Sequence, residues 1–468
     1  MNKKLKEAID YIKKLEADYG DIRMKDISTE QIKMENGKIA DLSVNRSYGA
    51  GIRLYVNGAM GFAATSDINN IKEAVKLAYD TALASSTLLR RAVKLSPKKA
   101  HRAEYATSIS IDPYTVPIKE KIDVLTAVSK GMNRVCGLSG YESGMDFKKE
   151  DVIFADTDDS FIKQTFFWSG GQITARALGA GDIQQRSYGN TFRAGYEAVC
   201  NLKLPEYAKT VAGEAVLLSK AENCPAGEFD VILAPTQLNL QIHESVGHPT
   251  ELDRVLGSEA AFAGASFLLP GDFGVKYGSQ YVTIEADCTN AFGYDDEGVP
   301  AQNITLIDKG NFKNFQTSRD NAPIIGQNSC GMGIADGWGN LPIVRMANVN
   351  LRPGLFTLDA LIGGIKKGFL LEQNKSWSID DKRVNFQFAC EIAREIVNGK
   401  LTGKIFKNPI YTGKTTEFWN SCDGVCNEKY RQVICVPNCG KGQPLQIVPV
   451  CHASSPARFR KVSFVSGG

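Results

Sequence analysis

The 468-residue chain has only four histidines, and two of them bracket one hexapeptide, His243-Glu244-Ser245-Val246-Gly247-His248. Two imidazoles around a carboxylate are the pattern of a metal-dependent hydrolase, in which the imidazoles ligate a divalent cation and the carboxylate moves a proton. The spacing makes a demand on the backbone. At about 100° per residue, positions four apart on an α-helix lie about 40° from each other around the axis, whereas positions five apart lie about 140° apart. His243 and His248 can share one ion only if the turn between them widens to a π-type turn or unwinds at Gly247-His248-Pro249. The bland alternative is a satisfied core histidine at 243 and an exposed one at 248 that complements a helix C-terminus.

A catalytic zinc takes three protein ligands and keeps a position for water. His101 and His452 are the other imidazoles, so a thiolate or carboxylate is expected as third ligand. Eleven cysteines are present, five of them from Cys422 onward: Cys422, Cys426, Cys435, Cys439 and Cys451. Cys439 lies in Val436-Pro437-Asn438-Cys439-Gly440-Lys441-Gly442-Gln443, read as a turn-rich loop in which glycine admits close backbone approach and Lys441 helps to lower the thiol pKa. A rival arrangement joins Cys422 and Cys426 to Cys435 and Cys439 as a closed four-thiolate zinc or iron–sulfur site. Asp295-Asp296-Glu297 can recognise a substrate amine, bind a hard cation, or stand in solvent as a charged turn. Arg345 can grip a carboxylate or form an ordinary ion pair. Gly413-Lys414-Thr415 is no phosphate loop, because Asn408 stands where glycine is required.

Several elements must position these groups. Leu238, Ile242 and Val246 recur every four residues and predict a short helix capped by Thr236, ending at Gly247 or His248 because Pro249 disfavours α geometry before it. Phe229, Val231 and Leu233 alternate as the strand that feeds it. Upstream, Leu5, Ile9, Ile12 and Leu15 predict an amphipathic helix, and two Asn-Gly pairs divide residues 20–64 into an antiparallel meander. Helices are predicted from about Asn70 and over Ile118–Val128, and strands over Phe154–Ala177 and Val211–Ser219. The rhythm is not βαβ, so the fold class is α+β, divided into residues 1–220 and 221–468. A formal charge of +3 gives no general grip on nucleic acid. With a charged N-terminus and no run of about 18 apolar residues, the chain reads as cytoplasmic, off the membrane, with reduced thiols.

Taken together, these segments resemble the TldD/PmbA family of metallopeptidases, whose members are also labelled modulators of DNA gyrase. The matching segments are the His-Glu-x-x-x-His string with its five-residue step, Pro225 to Leu233, Tyr294-Asp295-Asp296-Glu297-Gly298, Leu341 to Met346, Cys439 to Gln443, Glu35-Asn36-Gly37 and Gly58 to Ala63. They run in order through nearly the whole chain. The resemblance implies a zinc site of His243, His248 and Cys439 with Glu244 as base, which places the chain in the TldD-like branch, since the PmbA-like branch lacks the motif. It implies an α/β N-terminal domain with an antiparallel sheet, followed by a β-rich, barrel-like domain that carries the metal. It also implies a dimer, with itself or a metal-free paralogue, and hydrolysis of short or unfolded peptides in extended form, including maturation of peptide products. Local departures fall at Pro249-Thr250-Glu251, Leu445-Gln446 and Cys451-His452. The alternative is a binding or regulatory protein with a structural metal.

Overall fold

In the computed structural model, which describes residues 3–179 and 181–466, α1 (Lys3–Lys14) buries Leu5, Ala8, Ile9 and Ile12 on one face. The strands β1 (Tyr19–Glu35), β2 (Lys38–Val56) and β3 (Ala59–Thr65) form the expected meander. At its turns Asn36 and Gly37 take φ of 49° and 81°, and Asn57 and Gly58 take 51° and 74°, the positive angles that a two-residue type I′ turn requires. After α2 (Ile71–Ser86) come β4 (Arg102–Ala106), α3 (Ile118–Met132), β5 (Gly140–Asp156), β6 (Phe161–Leu178) and β7 (Ile183–Phe192). They complete a seven-stranded sheet of order β3-β2-β1-β5-β6-β4, with β7 also on β6, antiparallel except at β4–β6.

The helices α4 (Tyr196–Leu202) and α5 (Leu204–Lys220) follow. The strand expected over Val211–Ser219 is therefore helical. Leu204, Ala208, Val211, Ala212, Ala215, Leu218 and Ser219 are the buried positions of α5, and their three- and four-residue spacing packs Ala208, Val211, Ala212 and Ala215 in one cluster with Ile32, Met34, Leu125 and Ile173.

The second half begins with β8 (Gly227–Leu233) and α6 (Pro235–Ile242), and Leu238, Ile242 and Val246 join one apolar cluster with Phe386, Phe388 and Tyr411. Short strands β9 (Ile284–Asp287), β10 (Asn303–Asp308), β11 (Asn311–Phe312) and β14 (Asn348–Leu351) make one small sheet, and β12 (Gly333–Ile334) pairs with β13 (Ile343–Val344). Then come β15 (Lys367–Ile379), β16 (Asn385–Val397), β17 (Lys400–Phe406), β18 (Ile410–Lys414), β19 (Cys422–Val425), the hairpin β20 (Gln432–Lys441) and β21 (Gln446–Ser454), and β22 (Ala457–Val465). The order β15-β8-β22-β18-β16 returns to β15 through β15–β16 pairing, which closes a five-stranded barrel. The class is α+β, as the sequence suggested.

Buried ion pairs join the first sheet to the second half. Arg53 on β2 lies 2.6 Å from both Asp21 and Glu297. Lys25 bridges Glu150 at 2.8 Å and Asp296 at 2.9 Å, and Arg186 on β7 reaches Glu372 at 2.8 Å. Each cation is satisfied by carboxylates from both halves, so removing one member strands the others in a medium of low dielectric. Arg53→Met is expected to lower unfolding stability by about 3–5 kcal/mol, since Asp21 and Glu297 stay buried without their cation. A urea midpoint equal to wild type would show that this joint contributes nothing.

Candidate metal centre

The helix carrying the motif is capped two residues earlier than expected. Pro235 occupies its first turn and Ala234 is the N-cap, while the hydroxyl of Thr236 accepts the backbone N–H of Gln373 on β15 instead of capping. After Ile242 the backbone widens. His243–Gly247 is a π-turn in which the His248 N–H bonds the His243 carbonyl, the geometry that a five-residue step requires. Gly247 is the residue this turn needs, because a Cβ there would lie 2.0 Å from Met346 Sδ. Carbonyls at the end of the turn find side-chain donors: Gly247 accepts from Gln316 Nε2 at 2.7 Å, Val246 from the Thr250 hydroxyl at 2.8 Å, and Ser245 from the Tyr277 hydroxyl. The result sets the two imidazoles with ring centroids 4.7 Å apart.

Cys439 arrives on a strand rather than a loop. The β20–β21 ladder slips between Val436 and Cys439, a bulge that re-aims the side chains beyond it. The fully buried Arg345 donates to the carbonyls of Cys439 and Gln446, clamping both strands. One ligand atom each from His243, His248 and Cys439 then falls within 4.8 Å of the others, and all three residues are buried. Among the described residues this is the one group of His, Cys, Asp and Glu close enough to hold a metal.

Hydrogen bonds set the tautomers. His452 Nδ1 lies 2.8 Å from the Val349 carbonyl, which can only accept, so Nδ1 carries the proton and Nε2 a lone pair. That lone pair accepts His243 Nδ1–H at 2.7 Å, leaving the lone pair of His243 on Nε2. His248 Nδ1 lies 2.9 Å from Glu251 Oε2, which likewise leaves Nε2 free, 3.8 Å from Cys439 Sγ. Burial depresses all three imidazoles, His243 to about 4, so they stay neutral. Burial pushes the Cys439 thiol up, but His248, when its Nε2 carries the proton given up by the thiol, and then Arg345 outweigh it and hold it below its ordinary value. Lys441, expected beside the thiol, instead bonds Asp253 at 2.7 Å and lies 3.4 Å from Glu251. Against a burial penalty, Lys441, His248 and Arg254 keep the Glu251 carboxyl well below the usual range. Two neutral imidazoles and a thiol biased towards thiolate fit a divalent, borderline-soft cation.

Glu244 lines a cleft of about 370 Å³ with His243, His248, Cys439, Trp377 and Arg383. Arg383 Nη1 donates to Glu244 Oε2 at 2.9 Å and Nη2 to the Ala263 carbonyl at 2.8 Å. Asp295, Asp296, Glu297 and Arg345, expected to meet substrate, do not line this cleft. Asp295 accepts the N–H groups of Glu297, Val299 and Gly333, Asp296 and Glu297 take part in the joint between the halves, and Arg345 is spent on the hairpin. The four-thiolate alternative does not form, since Cys435 is bonded to Cys451. That disulfide also corrects the expectation of uniformly reduced thiols.

Glu251, His452 and Arg383 escaped the sequence reading. Glu251 had a local signal in its place one turn after His248, His452 had only the scarcity of histidine, and Arg383 had none. Glu251→Gln and His452→Phe are each expected to weaken divalent-metal affinity by about 10- to 100-fold, because the imidazoles lose the partners that fix their tautomers. Competition against a chromophoric chelator measures this, and wild-type affinity in both variants would remove them from any such role.

Models of the PmbA/TldA metallopeptidase C-terminal domain and of the PmbA/TldA metallopeptidase domain 1 match residues 226–461 and 20–82. A metalloprotease of Methanocaldococcus jannaschii is 30% identical, with 92% of this chain and 94% of that protein covered. A zinc metalloprotease TldD homolog of Saccharolobus solfataricus is 25% identical, with 92% and 96% covered. In fold, a Thermotoga maritima protein described as a candidate modulator of a DNA gyrase superposes with a TM-score of 0.79 at 16% identity, covering 99% of this chain and 100% of its own. TldE from Thermococcus kodakarensis gives 0.73, also at 16%, with 99% and 100% covered. With the motif, the barrel and whole-length similarity in agreement, the chain belongs to the TldD/PmbA family of metallopeptidases.

Proposed function

We propose that this protein is a zinc-dependent peptidase that hydrolyses short or unfolded peptides bound in extended form. The observation that carries the reading is the buried His243, His248 and Cys439 cluster in one cleft with the Glu244 carboxylate. His243 Nε2, His248 Nε2 and Cys439 Sγ would hold the zinc, which when bound supplies a Lewis acid that polarises a carbonyl and acidifies water. The choice of zinc is supported by the two-nitrogen, one-sulfur donor set and by the name of the Saccharolobus solfataricus relative.

The chain's own residues divide the remaining work. As water adds to the carbonyl carbon of the scissile bond, a Glu244 carboxylate oxygen accepts its proton and then returns it to the departing amine nitrogen. Arg383 Nη1 holds Oε2 of that carboxylate and so fixes the direction in which the other oxygen faces. Trp377, Ile379 and Val436 add apolar surface to the walls of the cleft.

Strand edges support the choice of substrate. Trp377–Ile379 on β15 pair with β16 on one side, and β20 pairs with β21 on one side; among the described residues neither segment pairs with a strand on its other side. Trp377, Ser378 and Ile379 and then Val436, Asn438, Cys439 and Gly440 line the cleft from these two segments. An extended peptide can add to such edges through its main chain, whereas the backbone of a folded protein is already paired. Glu244→Gln is expected to keep the metal and lose about 10²- to 10⁴-fold in kcat on an unstructured peptide. Cys439→Ala is expected to lose both metal and turnover. Metal content and peptide hydrolysis measured side by side test this, and wild-type turnover by Glu244→Gln would exclude Glu244 as the base.

A further inference from the structure

We propose that Cys435 and Cys451 are a thiol–disulfide site whose oxidation state sets the metal affinity of the centre. The two residues face each other directly in the β20–β21 register and are bonded. The bond sits one rung from His452 on β21 and four residues before Cys439 on β20. On β20, Cys435 precedes the slip after Val436 that delivers Cys439; on β21, Cys451 is followed by His452, which orients His243. No other covalent link among the described residues joins the strand of the thiol ligand to the strand of the orienting imidazole.

The remaining holds on this hairpin are non-covalent: hydrogen bonds, the Lys441 ion pairs and the packing of Trp168. Asn239 on α6 donates to the His452 carbonyl at 2.8 Å, and Arg345 clamps Cys439 to Gln446. From the first sheet, Asn190 accepts the Cys435 N–H at 3.0 Å and donates to the Val433 carbonyl at 2.7 Å. These survive reduction, so the expected effect is weakened affinity rather than an abolished site. Two thiols in place of one bond must part to van der Waals contact, which spreads β20 from β21 at the rung beside His452 and before the bulge that leads to Cys439.

Cys435 also lines a groove of about 640 Å³ between the hairpin and the first sheet, whose wall includes Trp168, Ser187 and Asn190. That volume admits a small dithiol. A thiolate of the dithiol attacks the Cys435 sulfur, giving a mixed disulfide and releasing Cys451 as thiolate. Its second thiol then displaces Cys435, so two electrons and two protons pass to the protein and the reductant leaves as its own disulfide.

The inference rests on the reading of His243, His248 and Cys439 as a metal centre, and the experiment separates the two. Wild type is prepared oxidised, with nine alkylatable thiols, and anaerobically reduced with a trialkylphosphine, with eleven. The phosphine leaves as its oxide and is removed before zinc is titrated against a chromophoric chelator. The reduced form is expected to bind zinc at least about tenfold more weakly, the scale of losing an orienting partner, with faster amide exchange over residues 432–454. The double variant Cys435→Ala/Cys451→Ala is expected to match reduced wild type and to ignore the phosphine. Equal zinc affinity in the two wild-type forms, or a double variant that still responds, overturns the inference while leaving the metal centre intact. If the double variant does not fold, the two wild-type forms decide. If His248→Ala binds zinc as well as oxidised wild type does, the metal-centre reading fails and this inference with it.

Discussion

The site depends on one backbone bond, from the His248 N–H to the His243 carbonyl. A regular α-helix would separate the two imidazoles by about 140° around its axis, and the five-residue turn removes that separation. Much of the neighbourhood exists to make the turn tolerable. Met346 closes on the space that any Cβ at Gly247 would need, and Gln316, Thr250 and Tyr277 supply donors to its carbonyls. Trp419 Nε1 and Gln241 Nε2 both donate to the Ser245 hydroxyl, 2.9 and 3.0 Å away, which holds the middle of the turn. A widened turn in solvent would have no such support.

Burial then solves a second problem. For this cluster to hold a metal, its imidazoles must be neutral and Cys439 must give up its proton. The low dielectric that keeps His243, His248 and His452 neutral works against a thiolate, so the two requirements conflict in one buried place. The structure resolves the conflict by position. Arg345 stands behind Cys439, and the positive charges of Lys441 and Arg254 are matched by Glu251 on the far side of His248. Desolvation is the largest influence on the imidazoles, whereas the thiol is held down first by His248 and then by Arg345.

What could be read from the sequence follows the range of the interaction involved. The Asn-Gly meander, α1, α2, α3 and the π-turn were legible because turn chemistry, helical spacing and the angle per residue are local. At Val211–Ser219 an apolar run suggests a strand, yet Ala208, Val211, Ala215 and Leu218 keep the helical spacing that the fold uses. Thr236 and Cys439 were placed correctly along the chain but given the wrong backbone role. In one case β15 takes the hydroxyl; in the other, pairing with β21 turns a Pro-, Asn- and Gly-rich segment into a strand. His452 and Arg383 meet the motif only through tertiary packing, and no spacing rule reaches that far.

The acidic triplet shows how a motif can be sound and its role misread. Asp295, Asp296 and Glu297 carry the charge and crowding that a substrate site would want, yet their partners are Arg53, Lys25 and backbone N–H groups. All residues that line the metal cleft come from His243 onward, so the first sheet contributes none of its walls. Its influence passes through contact with the hairpin, where Trp168 packs on Cys435 and Cys451 and Asn190 holds the main chain of β20. With the joint made of buried ion pairs, the two halves cannot part without exposing matched charges to separate solvation. The opposite wall of the cleft is the more exposed one: Trp377 on β15 is half exposed, and Arg383 sits in the turn to β16 with a φ of 63°.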